Sequence, residues 1–508
     1  MKRSRIELAL LLAALIAVSA ASTWFVSRSG WTLYYGDAEA HLNIARRVLD
    51  SRTPGYNQIG SPWLPLPVAL TMLFVQYDPW WRNGLAGAIP SSACFVLACA
   101  FLFAAVRRAT QSSAAAFASA GILALNPNLL YLQATPMTEP IFLAGFMALL
   151  YCTILFRDTQ SLWAVAGAGI ASIAASLSRY EGWVLIPFVT LYFLAAARRR
   201  KLATAVVFGA IASLAPVYWL AHNWWMYWNP LEFFNGPYSA KGIYQRALAQ
   251  HIPVSPGDHD WKKSWLFFRT TARICTGWGA VLVGAVGLVG VIWKRAFWPL
   301  FLAAMPPVFY VWRMYAGESP IFVPGLWFSS YYNTRYGLSI LPVLAIAGAG
   351  LVLLAPIRHR PLLATLAIAA AVTPWLIHRQ PDDWVCWKES QVNSVGRRAW
   401  MHQAAELLSA QYHPGTGIYT SLGDDGIGIL REAGIPLRDA LRDANGLAWM
   451  VATERPDLFL HEEWALAISG DPVATAVQRA TLKKGPRYYR MLTIVERFEP
   501  KIEIYKRD

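Results

Sequence analysis

The sequence predicts an α-helical polytopic membrane protein of about 11 transmembrane helices, with a small C-terminal α/β domain standing outside the membrane. Three observations predict it. Of 508 residues, 56% are hydrophobic and only 15% charged, and the apolar residues fall in repeated runs long enough to cross a bilayer. Lys and Arg cluster at the ends of those runs, and from about Asp382 the composition changes to that of a soluble domain. The formal charge of +15 therefore reads as membrane topology, with no nucleic acid as partner. The 24 Trp gather near run ends, as in Trp224-Trp225-Met226-Tyr227-Trp228 and Trp80-Trp81, where amphipathic rings meet lipid headgroups. The five cysteines have no metal-like spacing. Cys94, Cys99 and Cys152 fall within apolar runs. Cys275 and Cys386 could meet outside, though nothing in the spacing demands a disulfide.

In chain order, Lys2, Arg3 and Arg5 precede an apolar run from about Ile6 to Val26. Small residues at Ser19-Ala20-Ala21-Ser22 suit a signal peptide, but the run exceeds a usual signal core, so a retained helix is expected. From about 31 to 82 the chain forms an outer loop. Leu42, Ala45, Val48 and Leu49 make a helical stripe opposite Asn43, Arg46, Arg47 and Asp50, so this helix is expected along the interface. Pro54-Gly55, Pro62, Pro65 and Pro67 break the next part into a turn and a short apolar segment.

Further runs follow at about 83–106, 113–132, 138–156, 161–177, 182–197, 202–221, 276–293, 296–314, 336–356 and 361–377. With the amino terminus inside, the inner connections carry Arg107-Arg108, Arg157, Arg198-Arg199-Arg200-Lys201, Lys294-Arg295 and Arg358-His359-Arg360, as the positive-inside rule requires. That topology makes 1–378 a transmembrane module with juxtamembrane helices at about 31–82, and sends 379–508 outside. In the latter, Gly417-Ile418-Tyr419-Thr420 reads as a strand, Gly426 to Ala433 as a helix, Pro456 to Leu460 as a strand, and Pro472 to Ala480 as a helix. A hairpin of Met491–Phe498 and Lys501–Tyr505 closes it.

Four polar groups lie at outer ends of spans, where ionisable residues are costly and tend to face a bundle interior or a wet cavity. The first is Asp37, Glu39 and His41 in Tyr34-Tyr35-Gly36-Asp37-Ala38-Glu39-Ala40-His41. The others are Thr138-Glu139-Pro140, Ser178-Arg179-Tyr180-Glu181-Gly182, and Tyr331-Tyr332-Asn333-Thr334-Arg335-Tyr336-Gly337. Each has a structural alternative. Asp37 follows a glycine and suits a helix N-cap with Glu39 favouring the dipole, Arg179 suits a clamp to Glu181, and Arg335 suits snorkelling to headgroups.

With these motifs the chain resembles the GT-C glycosyltransferases, in particular the branch of lipid A aminoarabinose transferase and the protein O-mannosyltransferases. The resemblance rests on Gly36-Asp37-Ala38-Glu39-Ala40-His41, on Pro62-Trp63-Leu64-Pro65 and on the Glu139, Arg179 and Arg335 turns, and covers roughly 7–378. It implies a GT-C fold and inverting transfer of a sugar from a polyprenyl-phosphate donor to a lipid, glycan or protein acceptor. The reaction would lie on the outer, periplasmic face of the cytoplasmic (inner) membrane. The first-loop catalytic acid maps onto Asp37 and the second outer-loop acid onto Glu139. The chain departs from aminoarabinose transferases at Gly60-Ser61, which replaces an acidic-lysine pair before proline.

Chemistry supports the same roles. A carboxylate accepting the proton of a sugar hydroxyl contributes about a hundredfold or more, and Asp37 is the candidate base. A departing polyprenyl phosphate gains charge that guanidinium groups stabilise. Arg335 and Arg179 are candidates for that work, with Lys241 and His222 as weaker ones, and Glu39, His41 and Tyr336 are placed with substrate. No cofactor is expected as obligatory. A divalent metal belongs to the oligosaccharyltransferase-like alternative, in which Asp37 and Glu39 would need Glu139 or His41 as well, and Asp382-Asp383-Trp384 and Asp424-Asp425 are poor substitutes for that branch's acceptor-reading motif. A transporter or flippase of lipid-linked sugars is the rival class, but the sequence has no inverted repeat and no conspicuous ionisable residue in mid-span.

Overall fold

In the computed structural model, residues 2–295, 297–378, 380–482, 485–497 and 499–508 are described. They form two units. The first comprises Met1–Ser29, Ser61–Pro67 and Ala88–Glu389, the second Gly30–Gly60, Val68–Gly87 and Ser390–Asp508. The grouping follows packing and not chain order, so the first outer loop, expected within a 1–378 module, folds largely with the C-terminal residues.

Every expected run carries a helix: Lys2–Arg28, Leu85–Thr110, the pair Ser113–Ala124 and Pro127–Gln133, Glu139–Thr159, Leu162–Ser176, Glu181–Ala196, Lys201–Tyr227, Trp278–Trp293, Phe297–Tyr315, Leu341–Leu353 and Arg360–Ile377. By length and composition, six helices among the described residues can cross a membrane, or up to eight if each of two bent pairs is one span. The shortfall from about 11 lies partly in Leu162–Ser176 and Glu181–Ala196. At 15 and 16 residues they rise only about 23 Å, against a hydrocarbon core of about 30 Å.

The first of the two bends is local in origin. At Asn126-Pro127 the helices turn by 68°, because Pro127 opens the second helix and the Asn126 side chain caps it by accepting from Leu129 N at 3.1 Å. At Gly277 the chain turns by 106° between Trp261–Thr276 and Trp278–Trp293. The Cys275 carbonyl, left over at that helix end, accepts from Asn126 Nδ2 and Asn128 Nδ2, both at 3.0 Å. Cys275 and Cys386 do meet, both buried and neither in a disulfide.

Small residues bring helices together where lipid offers no hydrophobic drive. A Cβ on Gly287 would stand 1.9 Å from the Ala347 carbonyl oxygen, and one on Gly290 would stand 2.0 Å from that of Gly350. Gly287→Leu is expected to force Trp278–Trp293 off Leu341–Leu353 and to cost about 1–3 kcal/mol, read as a lowered Tm of the detergent-solubilised protein.

The second unit carries a five-stranded sheet in the order β2-β1-β3-β5-β4. The strands are β1 (Ile418–Thr420), β2 (Ala440–Leu441), β3 (Trp464–Ile468), β4 (Tyr488–Ile494) and β5 (Ile502–Arg507). β1 pairs in parallel with β2 and β3, while β5 is antiparallel to β3 and β4. The expected β1, the helices at Gly423–Ala433 and Pro472–Leu482 and the closing hairpin are present; Phe498 and the side chains of Asp424 and Asp425 lie outside the described residues. Pro456–Phe459 is helical, where a strand was expected. Pro456 at its first position pre-sets the helical φ, and the buried strand is instead Trp464–Ile468.

The helix Gly36–Leu49 also departs from expectation. Its polar side is buried within its own unit: Asn43 is fully buried and accepts from Trp81 Nε1 at 3.3 Å, and Arg46 pairs with Asp50 at 3.0 Å and Asp78 at 2.7 Å. Leu42 and Ala45 of the expected apolar stripe are fully buried too, while Leu49 is 40% exposed. Partners distant in sequence thus cover the polar side of the helix as well as the apolar one.

Candidate active site

The strongest concentration of buried charge lies in the first unit, where three turns and two helices converge. Glu139 is the first residue of Glu139–Thr159 and Glu181 the first of Glu181–Ala196, so each sits where the helix dipole favours an anion. Arg179 stands in the turn before Glu181. A Cβ on Gly182 would come within 2.6 Å of Ser176 N, so only glycine lets this turn close. Arg335 is the second residue of a 3-10 segment, Thr334–Ile340, which follows Asn333 in the left-handed region (φ 55°).

Glu139 Oε1 accepts from both guanidinium groups, Arg179 Nη1 at 2.9 Å and Arg335 Nε at 3.2 Å. Arg179 also donates to Glu181 Oε1 at 2.7 Å, Thr138 Oγ1 at 2.7 Å and the Tyr310 hydroxyl at 2.6 Å. The Tyr310 hydroxyl in turn donates to Glu181. The Tyr310 ring stacks on Tyr336 at 4.3 Å between centroids, and the Arg335 and Arg179 guanidinium carbons lie 5.1 and 5.7 Å from the Tyr336 centroid. Behind Arg335, Glu389 accepts from its Nη1 at 3.3 Å. Burial pushes the Glu389 carboxyl above its usual range, against the opposing pull of Arg335 and of the Thr334 and Asn333 donors.

These groups lie at one pocket of the first unit. Glu139, Arg179, Glu181, Tyr310, Arg335 and Tyr336 line its polar end, and Phe142, Leu143, Phe146 and Leu338 are among the apolar walls. Glu139 Oε2 is buried with no hydrogen-bond partner among the described residues. An orphaned carboxylate oxygen costs about 1–3 kcal/mol or more, which suits a site that receives a donor group from a ligand.

Of the expected site residues, the structure brings Glu139, Arg179, Arg335 and Tyr336 together. Lys241 and His222 are not among the cavity's lining residues. Lys241 Nζ lies over the Phe234 ring at 5.1 Å, and His222 is buried in a stack on Trp219 at 4.4 Å. The other expected residues belong to the second unit. Asp37 lies in the first turn of Gly36–Leu49, half-buried. The cap position is Tyr35, with no side-chain cap bond, so Asp37 is not the N-cap. Glu39 is buried and held by Arg397 Nη1 at 2.6 Å and Arg431 Nη2 at 2.9 Å, and His41 is buried as well. Arg397→Ala is expected to cost about 3–5 kcal/mol, because it strips a buried carboxylate of one partner; thermal unfolding of the variant checks it. Among the described residues, no group of three or more His, Cys, Asp or Glu is placed to hold a metal ion.

Sequence reasoning missed Tyr310 and Glu389. Tyr310 carried one signal, a hydroxyl inside a proline-interrupted apolar helix, and Glu389 another, an acid beside Trp384-Val385-Cys386-Trp387.

The family model for dolichyl-phosphate-mannose-protein mannosyltransferase matches residues 80–225. Comparison with curated proteins gives no match. Among solved structures, ArnT from Cupriavidus metallidurans bound to undecaprenyl phosphate is similar at a TM-score of 0.54 and 14% identity, covering 97% of each chain. Its apo form follows at 0.49 and 13%, covering 96% of this chain and 97% of that one. The apo Archaeoglobus fulgidus oligosaccharyltransferase follows at 0.47 and 12%, covering 91% and 69%. The chain is a multi-pass membrane protein with the GT-C fold. Within that class it resembles the aminoarabinose transferase and protein O-mannosyltransferase family.

Proposed function

We propose that this protein is an inverting glycosyltransferase that moves a sugar from a polyprenyl-phosphate donor to an acceptor at the outer face of the cytoplasmic membrane. The observation that carries the reading is the cavity with two guanidinium groups at one end and phenylalanine and leucine on its walls. A prenyl phosphate has that same division, an anion joined to an apolar tail. Arg335 and Arg179 would bind the phosphate and stabilise the charge it gains on leaving, and the N-termini of Glu139–Thr159 and Glu181–Ala196 add favourable dipole ends. Tyr336 would pack against the first part of the donor. Glu139 holds the two guanidinium groups side by side through Oε1 and offers Oε2 to a substrate hydroxyl. Asp37 is proposed as the base that takes the acceptor's proton, and Lys241 and His222 have no part in this account of the phosphate.

The family match over 80–225 and the ArnT-like fold support the reaction class. The cell inner membrane, with the site and the C-terminal unit on the periplasmic side, is proposed from the charge of the short connections. Incubation of the purified protein with a panel of polyprenyl-phosphate sugars, with and without chelator, tests the reading. With no acceptor added, water takes the sugar, and slow hydrolysis of one donor to free sugar and polyprenyl phosphate is expected in both conditions. Consumption of none would contradict the donor class, and loss of activity with chelator would favour the metal-dependent alternative.

A further inference from the structure

The carboxylate of Glu389 serves none of the steps above, yet it gathers four donors from three consecutive residues. Oε1 accepts from Asn333 N at 2.9 Å and from Arg335 Nη1 at 3.3 Å. Oε2 accepts from Thr334 N at 2.6 Å and from the Thr334 hydroxyl. Glu389 is 2% exposed, and Thr334 is fully buried. The residues it holds are those that need holding, since Asn333 takes the left-handed conformation (φ 55°), which non-glycine residues adopt at a cost. Arg335 follows directly, with its Nε on Glu139 and its ring neighbour Tyr336 against Tyr310. A long flexible side chain that must meet a ligand loses less freedom on binding when its backbone and one nitrogen are already fixed.

We infer that Glu389 is a positioning residue, which sets the Asn333-Thr334-Arg335 turn and thereby aims the Arg335 guanidinium at an anionic ligand in the cavity. The inference rests on the reading of Arg335 as a ligand of the donor phosphate. Charge alone would give the opposite effect. Removing a negative group beside Arg335 raises the local potential and by Coulomb's law favours a phosphate. Positioning weakens binding when the carboxylate is lost, because a displaced guanidinium no longer meets its target. In Glu389→Gln, either orientation of the amide turns an NH2 group against a group that can only donate, Thr334 N on one side or Asn333 N and Arg335 Nη1 on the other, so the turn cannot keep its geometry. The sign of the change therefore separates the two accounts.

The test uses the full-length protein in lipid nanodiscs, with undecaprenyl phosphate and undecaprenol as probes. Wild type should prefer the phosphate, and Arg335→Ala should lose the preference. If Arg335→Ala keeps it, the phosphate reading of the cavity falls, whatever Glu389 does. If Arg335→Ala loses it, Glu389→Gln should weaken phosphate binding by about tenfold or more, leave undecaprenol binding unchanged, and add nothing in the Arg335→Ala background. A folded Glu389→Gln protein that binds the phosphate as well as or better than wild type overturns the inference. So does an equal loss for both probes, which marks a merely structural role. Should Glu389→Gln fail to fold, Thr334→Val decides, since it removes one of the four donors at constant volume: weaker phosphate binding supports the inference, and unchanged or tighter binding overturns it.

Discussion

Asp37→Asn is expected to leave the protein folded and to lower sugar transfer by about 10²–10⁴-fold, the usual contribution of a general base. The amide has nearly the same shape as the carboxylate but cannot accept the acceptor's proton at neutral pH. Because Asp37 is half-buried at the first turn of Gly36–Leu49, the exchange also removes one favourable dipole interaction, about 0.3–1 kcal/mol. The measurement is initial rate against acceptor, with donor binding followed separately: the rate should collapse and the donor affinity should not. Asp37→Glu should recover part of the rate, since it restores a base displaced by one methylene. An Asp37→Asn variant with wild-type rate would remove Asp37 from the chemistry.

Arg335→Ala is expected to be as damaging in a different way. One preorganised donor to developing charge is typically worth about 10²–10³ in rate, and Arg335 also answers Glu139 and Glu389. Its loss leaves two buried carboxylates short of a counter-charge, which by itself costs about 3–5 kcal/mol. Both donor binding and Tm should therefore fall. Arg335→Lys separates the two effects. It keeps the charge, so most of the stability should return, but a point charge replaces a planar fork that reaches Glu139 and Glu389 at once, so donor affinity should recover only in part. Arg179→Lys should behave similarly, with the added loss of the Thr138 and Tyr310 bonds.

What could be read from the sequence divides by distance along the chain. Apolar runs, basic connections and the acid-bearing turns at Glu139 and Arg179 are local patterns, and ionisable residues at membrane depth stand out because they are costly there. The bend at Asn126-Pro127 was missed, since 113–132 was read as one run, although the proline and its capping asparagine are a local signal. Tyr310 and Glu389 were missed because their local signals say nothing of the partners they act on, 131 and 54 residues away. The same physics misled the reading of Gly36–Leu49. Asn43 and Asp50 were assigned to a wet face, yet Trp81 and Arg438 satisfy them from 38 and 388 residues away. Lys241 and His222 were included for their residue type, and residue type could not tell that one lies over a phenylalanine ring and the other stacks on a buried tryptophan. At Pro456, a short apolar run was taken for a strand, an ambiguity that periodicity over five residues cannot resolve.

The proposed reaction requires an anionic lipid headgroup between Arg179 and Arg335, with its tail against Phe142 and Phe146. A structure of the protein in nanodiscs with undecaprenyl phosphate tests it most directly. A phosphate hydrogen-bonded to both guanidinium groups, with prenyl density along the apolar wall, is expected. A phosphate bound elsewhere on the protein, with the cavity empty, would contradict it.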